Sequence, residues 1–209
     1  MKKLLIAAAV MFTTSVSAAT LKLDENIKFL VVNGQEKESS SLERFEFQEM
    51  PEGENQIVIR FDGEVKSGSR DEVFTSKPYI FNLDLNGQNA TISVPKRIRT
   101  KSQAQAFFRN PEWVITYANG SSKTLSMSEL RGEGFGAYND PVALVAKYNQ
   151  QNGIIIDDSK VLDLKDDVVK VNESGEAELT GDAVAQLKLW YTKASAEEKV
   201  EFKVWLAQQ

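Results

Sequence analysis

Apolar and polar residues alternate through the first half of the chain. Ile27, Phe29 and Val31 fall on one side of an extended segment that stops at Asn33-Gly34, a pair suited to a two-residue hairpin because both positions tolerate positive φ. Phe45 and Phe47 alternate with Arg44, Glu46 and Gln48, and Pro51-Glu52-Gly53 then breaks the run. Ile57, Ile59 and Phe61 alternate next. Tyr79, Phe81, Leu83 and Leu85 lead to a second turn pair, Asn86-Gly87, after which Ile92 and Val94 return. Trp113, Ile115 and Tyr117 run to Asn119-Gly120. Short period-two segments bounded by turn pairs predict antiparallel strands with one face turned inward. A small β-sandwich or open barrel is the natural closure.

The second half has the longer, helical period. Before it, residues 101–109 read as a short helix capped by Ser102, with Ala104, Phe107 and Phe108 inward and Asn110-Pro111 as its stop. Gly132, Gly134 and Gly136 loosen the chain, and Asp140-Pro141 opens a helix that runs to Gln151, with Asp140 as cap and Pro141 at the first helical position. Val142, Leu144, Val145 and Tyr148 supply its apolar face. Ile154-Ile155-Ile156 is a short apolar strand, and residues 157–175 are acidic without a clear period. A penultimate helix starts at Thr180 or Asp182, and Ser195 with Glu198 makes a capping box for the last one.

Val184, Leu187, Trp190 and Tyr191 share a broad face of the penultimate helix. In the last helix Ala196, Val200 and Val204 form one stripe, whereas Phe202, Trp205 and Leu206 fall on other sides. A helix that is apolar on several sides is usually buried on several sides, so core is the expected fate of these aromatics. Left open to solvent, they would form a patch of the kind that marks a partner site. The fold class expected is α+β, mainly β: an antiparallel β-sandwich-like part over residues 20–130, and a helix-rich part over residues 131–209 docked on the sheet.

Composition sets the compartment. Met1-Lys2-Lys3, an apolar run over residues 4–12 and small residues up to Ala19 have the layout of a cleavable secretory signal over residues 1–19. The run is too short to span a bilayer, which takes roughly 20 residues. Val16-Ser17-Ala18 and Ser17-Ala18-Ala19 both fit the cut, giving a mature chain from Ala19 or Thr20 with no transmembrane segment. Periplasmic or secreted localisation follows. The 209-residue chain has no Cys, which excludes a disulfide framework and leans towards a Gram-negative periplasm. Loss of the two leader lysines takes the net charge from −5 to −7, which disfavours nucleic acid as a partner because phosphates call for a basic surface.

Chemistry is thinly represented. With no His and no Cys, the commonest general base, the commonest metal ligand and thiol catalysis are all absent. Ser67-Gly68-Ser69 lacks the strand-to-helix context of a nucleophile elbow, and Ser39-Ser40-Ser41 reads as a loop. Asp157-Asp158, Asp163 and Asp166-Asp167 lack the alternation, central Gly and closing Glu of a calcium loop. Lys96, Arg97, Arg99 and Lys101 form a local basic cluster that reads as a solvated edge, with an anion contact as the alternative. No catalytic, metal or cofactor site is expected, and the chain is expected not to be an enzyme.

Four stretches occur in a distinctive order: Thr20-Leu21-Lys22-Leu23, "FLVVNGQEKESSSL", "GENQIVIRF" and the closing "LKLWYTKASAEEKVEFKVWLAQQ". Together they resemble an uncharacterised family of exported proteins of Gram-negative bacteria, one branch of which carries the name curli assembly inhibitor. The resemblance carries no catalytic residues. It implies a non-enzymatic periplasmic binding or regulatory protein, with restraint of extracellular amyloid-type fibre assembly by capping unfolded subunits as its sharpest form. The alternative is a structural envelope protein that binds cell wall, polysaccharide or an outer-membrane partner. Amyloid grows on exposed strand edges, so the expected contact residues are edge positions together with apolar anchors. The edge candidates are Thr91, Ile92, Ser93 and Val94, closed by Pro95, and the first strand, Thr20 to Leu23; the anchors are Trp190, Phe202 and Trp205.

Overall fold

The alternating segments become strands because each can bury one face against another. The computed structural model describes residues 18–38, 45–134, 136–157, 160–163, 169–171, 177–179 and 183–208. In chain order the first elements are β1 (Ala19–Leu23), β2 (Ile27–Val32), β3 (Gln35–Glu36), β4 (Glu46–Met50), β5 (Glu54–Ser67) and β6 (Arg70–Thr75). β7 (Tyr79–Asp84), β8 (Ala90–Ser93), α1 (Lys101–Phe107), β9 (Val114–Tyr117), β10 (Ser122–Thr124) and β11 (Ser128–Glu129) complete the β-rich part. Then come α2 (Pro141–Asn152), β12 (Ile154–Asp157), β13 (Lys160–Asp163), β14 (Val169–Val171), β15 (Ala177–Leu179), α3 (Ala183–Lys193) and α4 (Ala196–Leu206). The leader, the Ser39-Ser40-Ser41 run and most of the acidic stretch lie outside the described residues.

Two sheets face each other. One has the order β10-β9-β8-β1-β4; the other has the order β11-β7-β5-β2-β3, with β6 paired to the far end of β5. Among the described strands β1 and β8 run parallel, while the other neighbours are antiparallel. Leu21, Leu23, Met50, Ile92 and Ile115 of the first sheet meet Ile27, Phe29, Ile57, Ile59 and Phe81 of the second in one buried core. Each such side chain contributes about 1.5–3 kcal/mol on burial. Trp113 closes one end, with its ring 5.6 Å from Tyr79 and edge-on to Phe81 at 6.0 Å. The mainly-β, antiparallel-rich fold with helices mostly towards the C-terminal end agrees with the sequence pattern.

Three local expectations are corrected. Val31 does not share a face with Ile27 and Phe29: the register of β2 on β5 shifts between Phe29 and Val31. That irregularity puts Val32 in the sandwich core and turns Val31 outward. In β4 the inward positions are Glu46 and Met50, whereas Phe47 is exposed. Glu46 is held there because its carboxylate accepts the Phe29 N–H at 2.6 Å and pairs with Lys28 at 3.2 Å, which joins the edge strand of one sheet to the other sheet. Finally, α1 is capped by Thr100, not Ser102. The Thr100 hydroxyl accepts from the Gln103 N–H, and the Gln103 side chain accepts from the Thr100 N–H, both at 3.2 Å.

The second sheet is also covered on its outer face. Val31, Val58 and Ile80 lie side by side across β2, β5 and β7, and Val145 of α2 with Leu130 seals them into a second core. Asp140 caps α2 by accepting the Ala143 N–H at 2.8 Å, Pro141 is its first residue, and Gly153 ends it in the left-handed conformation at φ 71°. No described helix is long and apolar enough to cross a membrane.

Candidate partner-binding site

Buried amides tie α2 to the Asn33-Gly34 turn. Gln56 and Asn149 exchange two hydrogen bonds: Gln56 Nε2 donates to Asn149 Oδ1 at 2.8 Å, and Asn149 Nδ2 donates to Gln56 Oε1 at 2.9 Å. The Gln56 N–H donates to Asn33 Oδ1 at 2.9 Å, and Asn33 Nδ2 donates to Asn55 Oδ1 at 2.8 Å. Asn55 in turn donates to the carbonyls of Pro51 and Gly53. These side chains are all buried, and such groups are tolerated there because they satisfy one another. The stretches "FLVVNGQEKESSSL" and "GENQIVIRF" therefore meet in space. Sequence reading missed Gln56 and Asn149; the available signal was a pair of amides inside a strand whose neighbours, Ile57, Val58 and Ile59, are apolar without a break.

Beside this network lies an open cleft of about 480 Å³. Its floor is α2 and the isoleucines of β12, and its far wall is Tyr191, Thr192 and Lys199 from α3 and α4. Gly34 borders it too. A Cβ at Gly34 would stand 3.2 Å from the Ile156 side chain, so the turn and β12 are in close approach. The Lys199 ammonium lies 5.6 Å from the centre of the Tyr191 ring.

The terminal helices carry the largest exposed apolar surface described. Trp190 is 56 % exposed, Phe202 37 % and Trp205 52 %. Val184, Leu187, Val200, Val204 and Leu206 are exposed as well. The expectation that these residues are core is thus overturned: α3 lies beside α2, and none of the α4 side chains is buried. Tyr191 and Phe202 bridge the two helices with ring centres 6.0 Å apart, and Phe202 lies 5.6 Å from Trp205. The Ser195–Glu198 capping box is present, and the hydrogen bond from the Ser195 backbone N–H, with that from its hydroxyl, holds the Glu198 carboxyl below the usual range. Trp190, Phe202 and Trp205 are therefore brought onto one hairpin of helices and face solvent.

The strand candidates behave differently. Thr91, Ile92, Ser93 and Val94 do not form an edge, because β8 pairs with β1 on one side and β9 on the other. Ile92 is fully buried. Thr20 to Leu23 is no edge either, since β1 lies between β8 and β4. Pro95 follows β8, so its missing N–H costs the ladder nothing. The parallel β1–β8 pairing joins segments far apart in sequence, which no local pattern announces. In the basic cluster, Lys101 pairs with Glu72 at 2.6 Å, and Arg97 and Arg99 border a second cleft, of about 500 Å³, lined also by Glu25, Glu64 and Asp71. Among the described residues no group of three or more acidic side chains is placed to hold a metal ion.

The family described as "Uncharacterized protein conserved in bacteria (DUF2057)" matches residues 20–205. The chain belongs to this family. A UPF0319 protein of Vibrio vulnificus (strain CMCP6) is 30% identical over 213 residues, covering 100% of both chains. A UPF0319 protein of Vibrio cholerae is 27% identical over 100% of this chain and 99% of its own. One from Haemophilus influenzae (strain PittEE) is 26% identical over 92% of this chain and 91% of its own. No solved structure matches. The DUF2057 match spans the sandwich, α2 and most of α4, so the helical hairpin with its aromatics falls inside the family's extent.

Proposed function

We propose that this DUF2057 protein is a non-enzymatic binding protein of the periplasm or exterior, and that the aromatic hairpin of α3 and α4 is its contact surface. One observation carries the reading: large apolar side chains, Trp190 and Trp205 among them, stay more than half exposed although the same fold buries Trp113 completely. Exposed apolar surface of this kind is costly to keep in water and marks a site of association. The occupant is a polypeptide that itself exposes apolar side chains, and the sharpest case is an unfolded subunit of an amyloid-type fibre of the curli class. Binding such a chain before it reaches a growing end would restrain assembly. The test adds purified protein at equimolar dose to fibre-forming subunits followed by dye fluorescence. Lengthened lag and reduced final signal are expected, and both should vanish for the W190S/F202S/W205S variant. Unchanged polymerisation with the unsubstituted protein rejects the fibre form of the proposal.

Export is part of the same reading. β1 begins at Ala19, which is buried and opposite Met50. A cut after Ala18 keeps the strand whole, and the intact mass of periplasmic protein should show a chain beginning at Ala19.

A further inference from the structure

The cleft beside α2 adds a site that the aromatic patch does not explain. Among the described residues β12 pairs on one side only, with β13. In an antiparallel pair, alternate residues turn their N–H and C=O groups away from the partner, so among the described residues β12 presents an unpaired row on its other side. Successive side chains of a strand point to opposite faces. Ile154, Ile155 and Ile156 nevertheless all border the cleft. The cleft therefore runs along the edge of the strand, not over one face. Its other walls are apolar carbon from Val142, Val145 and Ala146 of α2, and its volume of about 480 Å³ is ample for side chains. One cation stands at it: Lys199, held over Tyr191, forms no ion pair among the described residues.

We propose that β12 is a docking edge to which an extended segment of another polypeptide adds as a strand. Alternate apolar side chains of that segment enter the cleft, and one of its carboxylates meets Lys199. Main-chain hydrogen bonds would supply affinity, and the pocket and the lysine would supply selectivity. This rests on the reading of the protein as a binder of polypeptide and deepens it by fixing the partner's conformation and charge.

The test uses the full exported chain and a fluorescein-labelled octapeptide of alternating Val and Thr with one central Glu, followed by anisotropy. Two companion peptides carry Lys in place of Glu, or N-methyl groups on every inner amide. The Glu peptide should bind, and the methylated one should bind at least about tenfold more weakly. Ala146→Trp, at an exposed position that fills the cleft, should weaken binding by a similar factor, and Lys199→Glu should reverse the preference between the Glu and Lys peptides. Equal affinity for the methylated and unmethylated peptides overturns strand addition. Absence of binding to any peptide overturns the site, as does a self-dimer abolished by Ala146→Trp, which would put a second copy in the cleft. The W190S/W205S variant keeps Phe202 against Tyr191 and changes no residue that lines the cleft, so it should keep full peptide affinity. Loss of fibre restraint with retained peptide binding, or the reverse, therefore tells the two surfaces apart.

Discussion

At the scale of single residues, buried polar groups decide the most. Gln56 and Asn149 are both buried, and each satisfies the other's amide. Asn149→Leu strands the Gln56 amide, and a loss of about 1–3 kcal/mol is expected; Gln56→Leu combined with Asn149→Leu should recover part of it, as urea melts of the singles and the double will show. Tyr79 makes the pH prediction. Burial, then the nearby Glu129 and Tyr138, push its phenol from 10.0 up to about 12. The native state keeps that proton longer than the unfolded chain, so stability present below pH 10 falls as pH rises towards 12. Tyr79→Phe should flatten this alkaline decline in melts taken between pH 8 and pH 11.5. Glu129 shifts the other way. Its partial burial alone would raise its pKa, but the hydrogen bonds and charges of Lys77 and Arg131 outweigh that and hold it low. Its contribution is therefore present at neutral pH and lost as pH falls through its lowered folded value.

At the scale of elements, the turn between β2 and β3 and the neighbouring bulge matter most. Asn33 and Gly34 both have positive φ, 46° and 77°, as a tight hairpin requires. Asn33 also points its amide into the buried network, so the turn pair serves packing as well as reversal. Gly34→Ala adds a Cβ in the left-handed region and 3.2 Å from Ile156, and a loss of about 1–2 kcal/mol is expected in the urea midpoint. The Asn-Gly signal, the Asp140-Pro141 helix start and the Ser195–Glu198 box were all legible in the sequence because each is satisfied by residues within a few positions. The bulge in β2 was not legible. It shifts the face of Val31 in response to β5 and α2, which are distant in the chain. The inward Glu46 was hidden for the same reason: its partners, Lys28 and the Phe29 N–H, belong to the other sheet.

At the scale of the whole molecule, two kinds of tryptophan separate core from exposed surface. Trp113→Ala should cost about 3–5 kcal/mol by opening the sandwich. W190S/F202S/W205S should leave the urea midpoint within about 0.5 kcal/mol per site while reducing binding of an apolar fluorescent dye. A large destabilisation by the triple variant would return those residues to the core. The sequence by itself determined the alternation that makes two sheets, the turns that separate the strands and the starts of α2 and α4, because period, turn chemistry and capping are local. Only the tertiary structure decided which strands are edges, since β1 and β8 acquire their neighbours from remote parts of the chain. It alone decided the fate of the terminal aromatics. A helix that is apolar on several sides calls for burial, but whether a covering surface exists depends on where the rest of the chain has gone, and here α2 had already covered the sheet.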